Sequence, residues 1–203
     1  MKKCCGYIEE FKVSGTWNEF TTTGAAFYGH LDCLKYAHEN GCPWHHQLTT
    51  VQASMNGQLE CLKYAHENGC PWSEGTISVA ANNGELECLK YAHEMGCPWD
   101  NQTTSFAART GQLECLKYVH EKGCPWHKDT IAEATKQGHL DCFKYSLENE
   151  CPWDEQTTLT NLEKHASKID LDDMWWRTFL ADKDLTNYTS LQTLVNAKKE
   201  EIK

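Results

Sequence analysis

The chain has 203 residues and a formal net charge of −10, from 19 Lys and Arg against 29 Asp and Glu. This length accommodates one ordinary domain or one array of repeats. Only Arg109 and Arg177 are arginines, so a phosphate backbone would meet net repulsion and few bidentate donors. We therefore expect no nucleic-acid partner.

The sequence also argues against a membrane or secreted setting. No stretch approaches the roughly 20 apolar residues of a membrane span. Glu9 and Glu10 stand where a secretory signal needs an apolar segment. Twelve cysteines fall below the roughly 8–10% content of a short disulfide-built scaffold. We expect a cytoplasmic protein that does not contact membranes.

Residues 1–16 are the first predicted element. They place Ile8, Phe11 and Val13 among charged residues, which is the pattern of a half-unit with one apolar side. Stacked repeats need specialised ends, and we predict that this segment is an N-terminal cap.

Residues 17–165 form a repeat array. Segments related to Gly-Gln-Leu-Glu-Cys-Leu-Lys-Tyr begin at Gly29, Gly57, Gly84, Gly111 and Gly138, spaced by 28 residues once and 27 residues three times. Ten of the twelve cysteines and six of the eight tryptophans recur at equivalent positions. The abundance of these residues is therefore a property of the repeat.

Each unit is predicted to contain two short helices. In the second, Leu59, Leu62 and Ala65 fall at helical spacing, Cys61 widens the apolar stripe, and Gly69 ends the helix. The first helix follows the tryptophan and carries a pair of small alanines. Its predicted N-caps are Asn18, Ser73, Asp100 and Asp154. Because one hairpin cannot bury its apolar face alone, the pattern predicts an all-α fold, an α-solenoid of stacked helix-turn-helix repeats.

The unit resembles an ankyrin repeat. The segment from Thr76 to Gly84 has the threonine start and the alanine pair before a glycine, and the leucine-rich second helix ends at Met95, Gly96 and Cys97. The usual unit of that family has 33 residues and a β-turn, so we expect the projecting hairpins to be reduced to tight turns. The short period and the Gly-Cys-Pro-Trp ending resemble arrays encoded by large DNA viruses and protists, which would place a viral protein in the host cytoplasm.

This resemblance implies a protein-interaction scaffold without catalysis, whose partner binds on the concave surface. The two residues before each turn glycine lie on that surface in the family, and they differ between units here. They are Phe27 and Tyr28, Met55 and Asn56, Asn82 and Asn83, Arg109 and Thr110, and Lys136 and Gln137. The aromatic and basic ends predict a partner with an apolar stretch and an acidic stretch. The alternative interpretation is that these positions vary because nothing constrains them.

Residues 166–203 are predicted to form a separate helical piece. After an acidic start, Trp175, Trp176, Phe179 and Leu180 define one apolar face. One hypothesis is a C-terminal cap on the last repeat. The other is a docking helix, which would make the chain an adaptor that holds a target on the array and recruits a second protein such as a ubiquitin ligase component.

Cysteines and histidines can form metal sites or disulfides, but their spacing in this sequence argues against both. Cys61, His66 and Cys70 recur as C-x4-H-x3-C, but helix residues five apart point about 140° away from each other, so we expect no metal site. Equivalent cysteines of neighbouring units should lie about 8–10 Å apart, beyond the roughly 4.4–6.8 Å between bridged Cα atoms. We expect small buried thiols and tryptophans that pack between repeats with the indole N–H on a nearby carbonyl. We also expect no catalytic residues, no cofactor and a monomer. A thiol- or metal-based enzyme is the remaining alternative.

Overall fold

The computed structural model describes residues 18–100, 102–181 and 183–201 and confirms an all-α solenoid. Within these ranges there are thirteen α-helices, one 3₁₀ helix and no strand. The N-terminal cap predicted for residues 1–16 lies outside the described residues. None of the helices in the described ranges is long and apolar enough to cross a membrane.

The helices alternate between two kinds, as the repeat predicts. The first helices are α1 (Glu19–Phe27), α3 (Thr49–Met55), α5 (Gly75–Asn83), α7 (Thr103–Arg109), α9 (Thr130–Gln137) and α11 (Glu155–Glu163). The second helices are α2 (Leu31–Glu39), α4 (Leu59–Glu67), α6 (Leu86–Glu94), α8 (Leu113–Glu121) and α10 (Leu140–Glu148). After α11 come the 3₁₀ helix (Ala166–Lys168), α12 (Met174–Ala181) and α13 (Thr189–Glu201).

The turns depend on left-handed backbone, as the glycine spacing predicts. Gly84 has a φ of 79° between α5 and α6, and Gly96 has a φ of 80° after α6. A side chain rarely adopts this conformation. Glu150 stands where the earlier repeats have the helix-ending glycine, and it keeps a φ of 60°. The fifth repeat therefore retains the turn although its sequence has lost the residue that favours it.

Three of the four predicted N-cap side chains accept a backbone N–H, namely those of Asn18, Asp100 and Asp154. Asn18 caps α1 and Asp154 caps α11, each accepting a backbone N–H bond. Ser73 is not a cap, because α5 begins two residues after it. Asp100 precedes α7 by three residues, and its carboxylate accepts the Gln102 backbone N–H at 2.9 Å. The same oxygen accepts a hydrogen bond of 3.1 Å from the Ser78 hydroxyl. It therefore joins the turn before α7 to the preceding repeat.

The core is built from the lattice residues of the repeat. In α4, Cys61, Leu62 and Ala65 are at most 2% exposed. In α5, Ala80 and Ala81 are fully buried. Their small size lets the first helices approach closely, while each buried leucine stabilises the fold by about 1.5–3 kcal/mol.

Buried hydroxyl pairs join the first helices of neighbouring repeats. Thr50 Oγ1 and Thr76 Oγ1 are 3.0 Å apart and buried. Similar pairs at 3.0–3.3 Å join Thr23 with Thr49, Ser78 with Thr103, and Thr104 with Thr130. The first helices also pack more closely on each other than the second helices do, which bends a stack toward the first-helix side. We call the exposed surface of α1, α3, α5, α7 and α9 the inner face.

The second-helix side is joined by an aromatic contact that spans two repeats. The His120 ring stacks on Trp126 at 4.4 Å between centroids, and its Nδ1 lies 2.9 Å from the Tyr145 hydroxyl of the next repeat. The indole N–H of Trp126 donates to the Asn149 carbonyl at 3.0 Å. The indole N–H groups of Trp44 and Trp72 donate to the equivalent carbonyls of Asn68 and Met95. These three tryptophans therefore pack between repeats with their N–H groups on nearby carbonyls, as the sequence predicts.

Candidate protein-binding surface

The ten residues predicted to bind a partner occupy one register of the inner face. In each repeat the pair lies at the carboxyl end of the first helix, immediately before the turn glycine. Because the repeats stack in equivalent positions, the five pairs follow one another along the array. Six are exposed, namely Tyr28, Asn56, Asn83, Arg109, Lys136 and Gln137, and four are half-buried, namely Phe27, Met55, Asn82 and Thr110.

The amino-terminal end of this row is aromatic. Tyr28 is 58% exposed, and its ring meets that of Phe27 edge-on at 4.9 Å. Phe20, on the same helix, is 54% exposed and lies 5.4 Å from the His45 ring of the next repeat. Exposed aromatic side chains are enriched at protein interfaces.

Arg109 is held by the array itself. Its Nη2 donates to Asn82 Oδ1 at 3.0 Å, and its guanidinium carbon lies 4.8 Å from the centre of the Phe106 ring. The neighbouring Thr110 hydroxyl donates to the Asn82 carbonyl at 2.7 Å. Part of the donor capacity that suggested an acidic partner is therefore used between two repeats.

Lys136, the second cation of the row, also has a partner in its own repeat. Its Nζ lies 4.0 Å from Glu133 Oε1, one helical turn earlier, and the lysine side chain is 62% exposed. An ion pair this long and this exposed contributes little to stability. The expectation of an acidic stretch in the partner thus rests on two cations that the array already engages.

The predicted row leaves out the side chains one helical turn before each pair. Phe106 and Glu133 occupy that position in α7 and α9, where earlier repeats have Gly24, Gln52 and Val79. All five differ, so extending the comparison between repeats by one helical turn would have found them. The half-buried side chains of Phe106 and Glu133 share the inner face with the predicted row.

A cleft of about 220 Å³ lies between α7 and α9 on the inner face. It is lined by Gln102, Ser105, Phe106, Arg109, His127, Asp129 and Glu133. The lining combines an aromatic ring, a cation and two carboxylates.

The aromatic side chains of the tail differ in how deeply they are buried. Trp176 is 5% exposed and lies 5.7 Å from the fully buried Phe143 ring of α10. Trp175 and Phe179 are half-buried and stack on each other at 5.3 Å. As a docking residue Trp176 is a wrong prediction, because its surface is already covered by the last repeat. Docking stays a prediction for Trp175 and Phe179.

Polar contacts also hold the tail against the array. Lys144 of α10 forms an ion pair of 2.8 Å with Asp173, which precedes α12. The Glu163 carboxylate at the end of α11 accepts the backbone N–H groups of Ser190 and Leu191 at 2.6 and 3.0 Å. A carboxylate there satisfies unpaired donors in the first turn of α13 and suits the helix dipole.

The lattice cysteines are free thiols buried in the core. Burial raises the pKa of Cys88, Cys97, Cys142 and Cys151 to about 12. It raises that of Cys61, Cys70, Cys115 and Cys124 to about 11. Since the thiolate is the nucleophile and the metal ligand, these side chains are protonated and inert at neutral pH. No group of three or more metal-binding side chains occurs in the described ranges.

The raised pKa values of these thiols predict that the folded protein loses stability at alkaline pH. An unfolded cysteine releases its proton near pH 9, whereas the folded thiols hold theirs to about pH 11–12. The unfolded state therefore binds fewer protons in this window, and the free energy of unfolding falls as pH rises above about 9. Urea denaturation at pH 7, 9 and 10 measures the effect.

Thiol titration separates the cysteines from the other groups that ionise in this range. At pH 8, an aromatic disulfide reagent should modify the ten lattice thiols only as fast as the chain unfolds. Adding urea should release them together. Rapid modification of these ten thiols in the native chain would contradict the burial that raises their pKa.

Comparison with known proteins supports the fold. No protein-family model and no curated protein matches the chain. Among solved structures, the chain is similar to the crystal structure of the human ASB11 ankyrin repeat domain, with a TM-score of 0.56 and 21% identity. The match covers 64% of this chain and 69% of that one.

The chain therefore has the fold of an ankyrin repeat solenoid. At this level of identity the similarity establishes the architecture alone. The narrower resemblance, to the short-period arrays of large DNA viruses and protists, stays a prediction.

Proposed function

We propose that this protein is a non-catalytic scaffold that binds a protein partner on the inner face. The observation that carries the proposal is the contrast between the two kinds of position in the repeat. The buried lattice residues are nearly the same in each unit, whereas the exposed residues of the first helices change from one unit to the next. A stack of equal units thus presents a surface of unequal chemistry, which is what selective binding requires.

The exposed aromatic end gives this surface an anchor. Tyr28 and Phe20 are each more than half exposed, and aromatic side chains are the commonest source of binding energy in protein interfaces. The buried, protonated thiols support a role without thiol catalysis. They also fit the reducing cytoplasm, where we place the protein.

We propose that the chain divides into a repeat array, residues 17–165, and a C-terminal tail, residues 166–203. The tail acts mainly as a cap on the last repeat. Trp176 covers Phe143 of α10, and Glu163 of α11 holds the start of α13. The polar Thr189, Thr193 and Asn196 of α13 are exposed, as the end of a stack requires. The adaptor function is the second candidate, and one observation favours it: Leu147, Trp175 and Phe179 line an open apolar cleft of about 250 Å³.

Selection from a displayed library of random peptides tests the scaffold function. Peptides selected on the full chain should bind Tyr28→Ala roughly tenfold or more weakly, because an aromatic anchor contributes about 2 kcal/mol. The matched control is Met95→Ala, which removes a 46% exposed side chain at the end of α6 on the opposite side of the array. Dissociation constants measured by isothermal calorimetry give the comparison.

The proposal fails if the selected peptides bind Tyr28→Ala and the wild-type chain equally well. It also fails if Met95→Ala weakens peptide binding and Tyr28→Ala does not. Circular dichroism melting of each variant shows that a change in affinity does not come from unfolding.

A further inference from the structure

The cleft between α7 and α9 has an unusual charge balance for a surface expected to bind an acidic segment. Two carboxylates, Asp129 and Glu133, lie one helical turn apart on its α9 side. Their side chains are 54% and 29% exposed. Phe106 and Arg109 form the α7 side.

The Asp129 carboxylate has no lysine or arginine partner among the described residues. The closest basic group is the His127 ring, whose Nδ1 lies 3.8 Å away. That same Nδ1 accepts the Asp129 backbone N–H at 3.2 Å. Within the described ranges, no lysine or arginine lies within 4.0 Å of this carboxylate.

The Glu133 carboxylate is only weakly neutralised. Lys136 reaches it at 4.0 Å from the solvent side of the same helix, where screening leaves such a pair little energy. Arg109, on the opposite wall, hydrogen-bonds to Asn82 of the preceding repeat and lies against the Phe106 ring. The cleft thus offers carboxylate oxygens above an aromatic wall, with its only arginine already engaged.

We propose that this cleft takes a lysine or arginine side chain of the protein partner. The proposal rests on the scaffold function and reverses the sign of charge expected for the partner at this end of the array. The aliphatic part of the incoming side chain would pack against Phe106, and its charged end would donate to Asp129 and Glu133. An arginine suits two separate carboxylates best, because its planar fork carries five donors.

The position of the cleft also predicts the spacing within the partner. It lies between the fourth and fifth repeats, while the Tyr28 anchor belongs to the first. With about 8–10 Å between packed helices, the two sites are roughly 30 Å apart. An extended peptide covers this in about nine residues. The partner segment should carry an apolar residue and a basic residue at about that separation.

Nuclear magnetic resonance titration tests the cleft with simple probes. Acetyl-arginine amide and acetyl-lysine amide are added to the isotope-labelled full chain, and acetyl-citrulline amide is the uncharged control of nearly the same shape. At least one basic probe should shift the amide signals of residues 102–109 and 127–133 saturably, with citrulline causing no comparable shift. The proposal is overturned if neither basic probe shifts them, if citrulline does so equally, or if only acetyl-glutamate amide does.

Variants connect the cleft with peptide binding. Glu133→Gln should weaken the binding of those selected peptides that contain a basic residue by about tenfold, because it removes the charge with which the basic side chain pairs. Glu121→Gln is the matched control, because it removes an exposed carboxylate from α8 on the second-helix side.

Equal affinity of those peptides for Glu133→Gln and wild type overturns the cleft assignment. If Tyr28→Ala still weakens the same peptides, the scaffold function stands and only the basic partner fails. If the basic probes bind in the cleft while Tyr28→Ala has no effect, the cleft assignment stands and the broader inner-face function fails.

Discussion

Replacing Phe143 with alanine should lower the free energy of unfolding by about 3–5 kcal/mol, the usual cost of removing a large buried aromatic side chain. Phe143 is fully buried. It lies 5.4–5.8 Å, between ring centroids, from Trp175, Trp176 and Phe179 of α12. The substitution therefore removes the side chain on which the tail packs as well as core volume. Urea denaturation measures the stability, and hydrogen exchange of α12 measures its attachment.

The matched variant is Phe143→Leu, which restores the residue found at this position in the other four repeats. It keeps most of the apolar volume but removes the ring-to-ring contacts. We expect a smaller loss of stability and a partial loss of protection in α12. If Phe143→Ala costs less than about 1 kcal/mol, or leaves exchange in α12 unchanged, the tail does not depend on this contact and the cap proposal loses its main support.

Replacing Gly111 with alanine should cost about 2–3 kcal/mol, more than the left-handed backbone alone explains. A left-handed alanine costs about 1–2 kcal/mol, and Gly111 has a φ of 75°. In addition, a Cβ built on Gly111 would lie 2.5 Å from Nδ1 of the His139 ring in the next repeat. The absence of a side chain at Gly111 thus leaves room for the His139 ring of the following repeat. Urea denaturation of the variant measures the cost.

Gly123 provides a control at a nearly equal backbone angle. Its φ is 88°, but a Cβ there would meet nothing within 4 Å, so Gly123→Ala should show only the backbone cost. In the double variant Gly111→Ala with His139→Ala, the excess over Gly123→Ala should disappear. Equal costs for Gly111→Ala and Gly123→Ala would mean that the histidine moves aside freely.

Much of the fold could be predicted from the sequence because each structural signal recurs in several repeats. Gly84 and Gly96 are in left-handed turns, Leu62 and Cys61 are buried, and the Trp126 indole donates to a carbonyl, all as predicted. These features depend on local backbone geometry and on the burial of one apolar stripe. Five copies of the same pattern in one chain therefore support each single inference.

The candidate site was less predictable because it depends on contacts between repeats. Asp100 accepts the Gln102 backbone N–H, as its predicted cap role requires, but it also accepts a hydrogen bond from Ser78 of the preceding repeat. Arg109 lies on the predicted partner surface, but it also donates to Asn82 of the preceding repeat. Glu133 was not singled out at all. Asp100 and Arg109 find these partners in another repeat, and helical spacing along one segment does not predict such contacts.

The sequence by itself determined the period of the repeat, the two helices of each unit, the turns and the identity of the buried lattice residues. These follow from helical periodicity, from the conformational freedom of glycine and from the need of each unit to stack. The tertiary structure alone decided which exposed charges are already engaged and which carboxylates share a cleft. It also decided that Trp176 is buried against the last repeat while Trp175 stays half-buried. The physical reason is that charge pairing and cleft shape depend on distances between helices that meet only when the repeats stack.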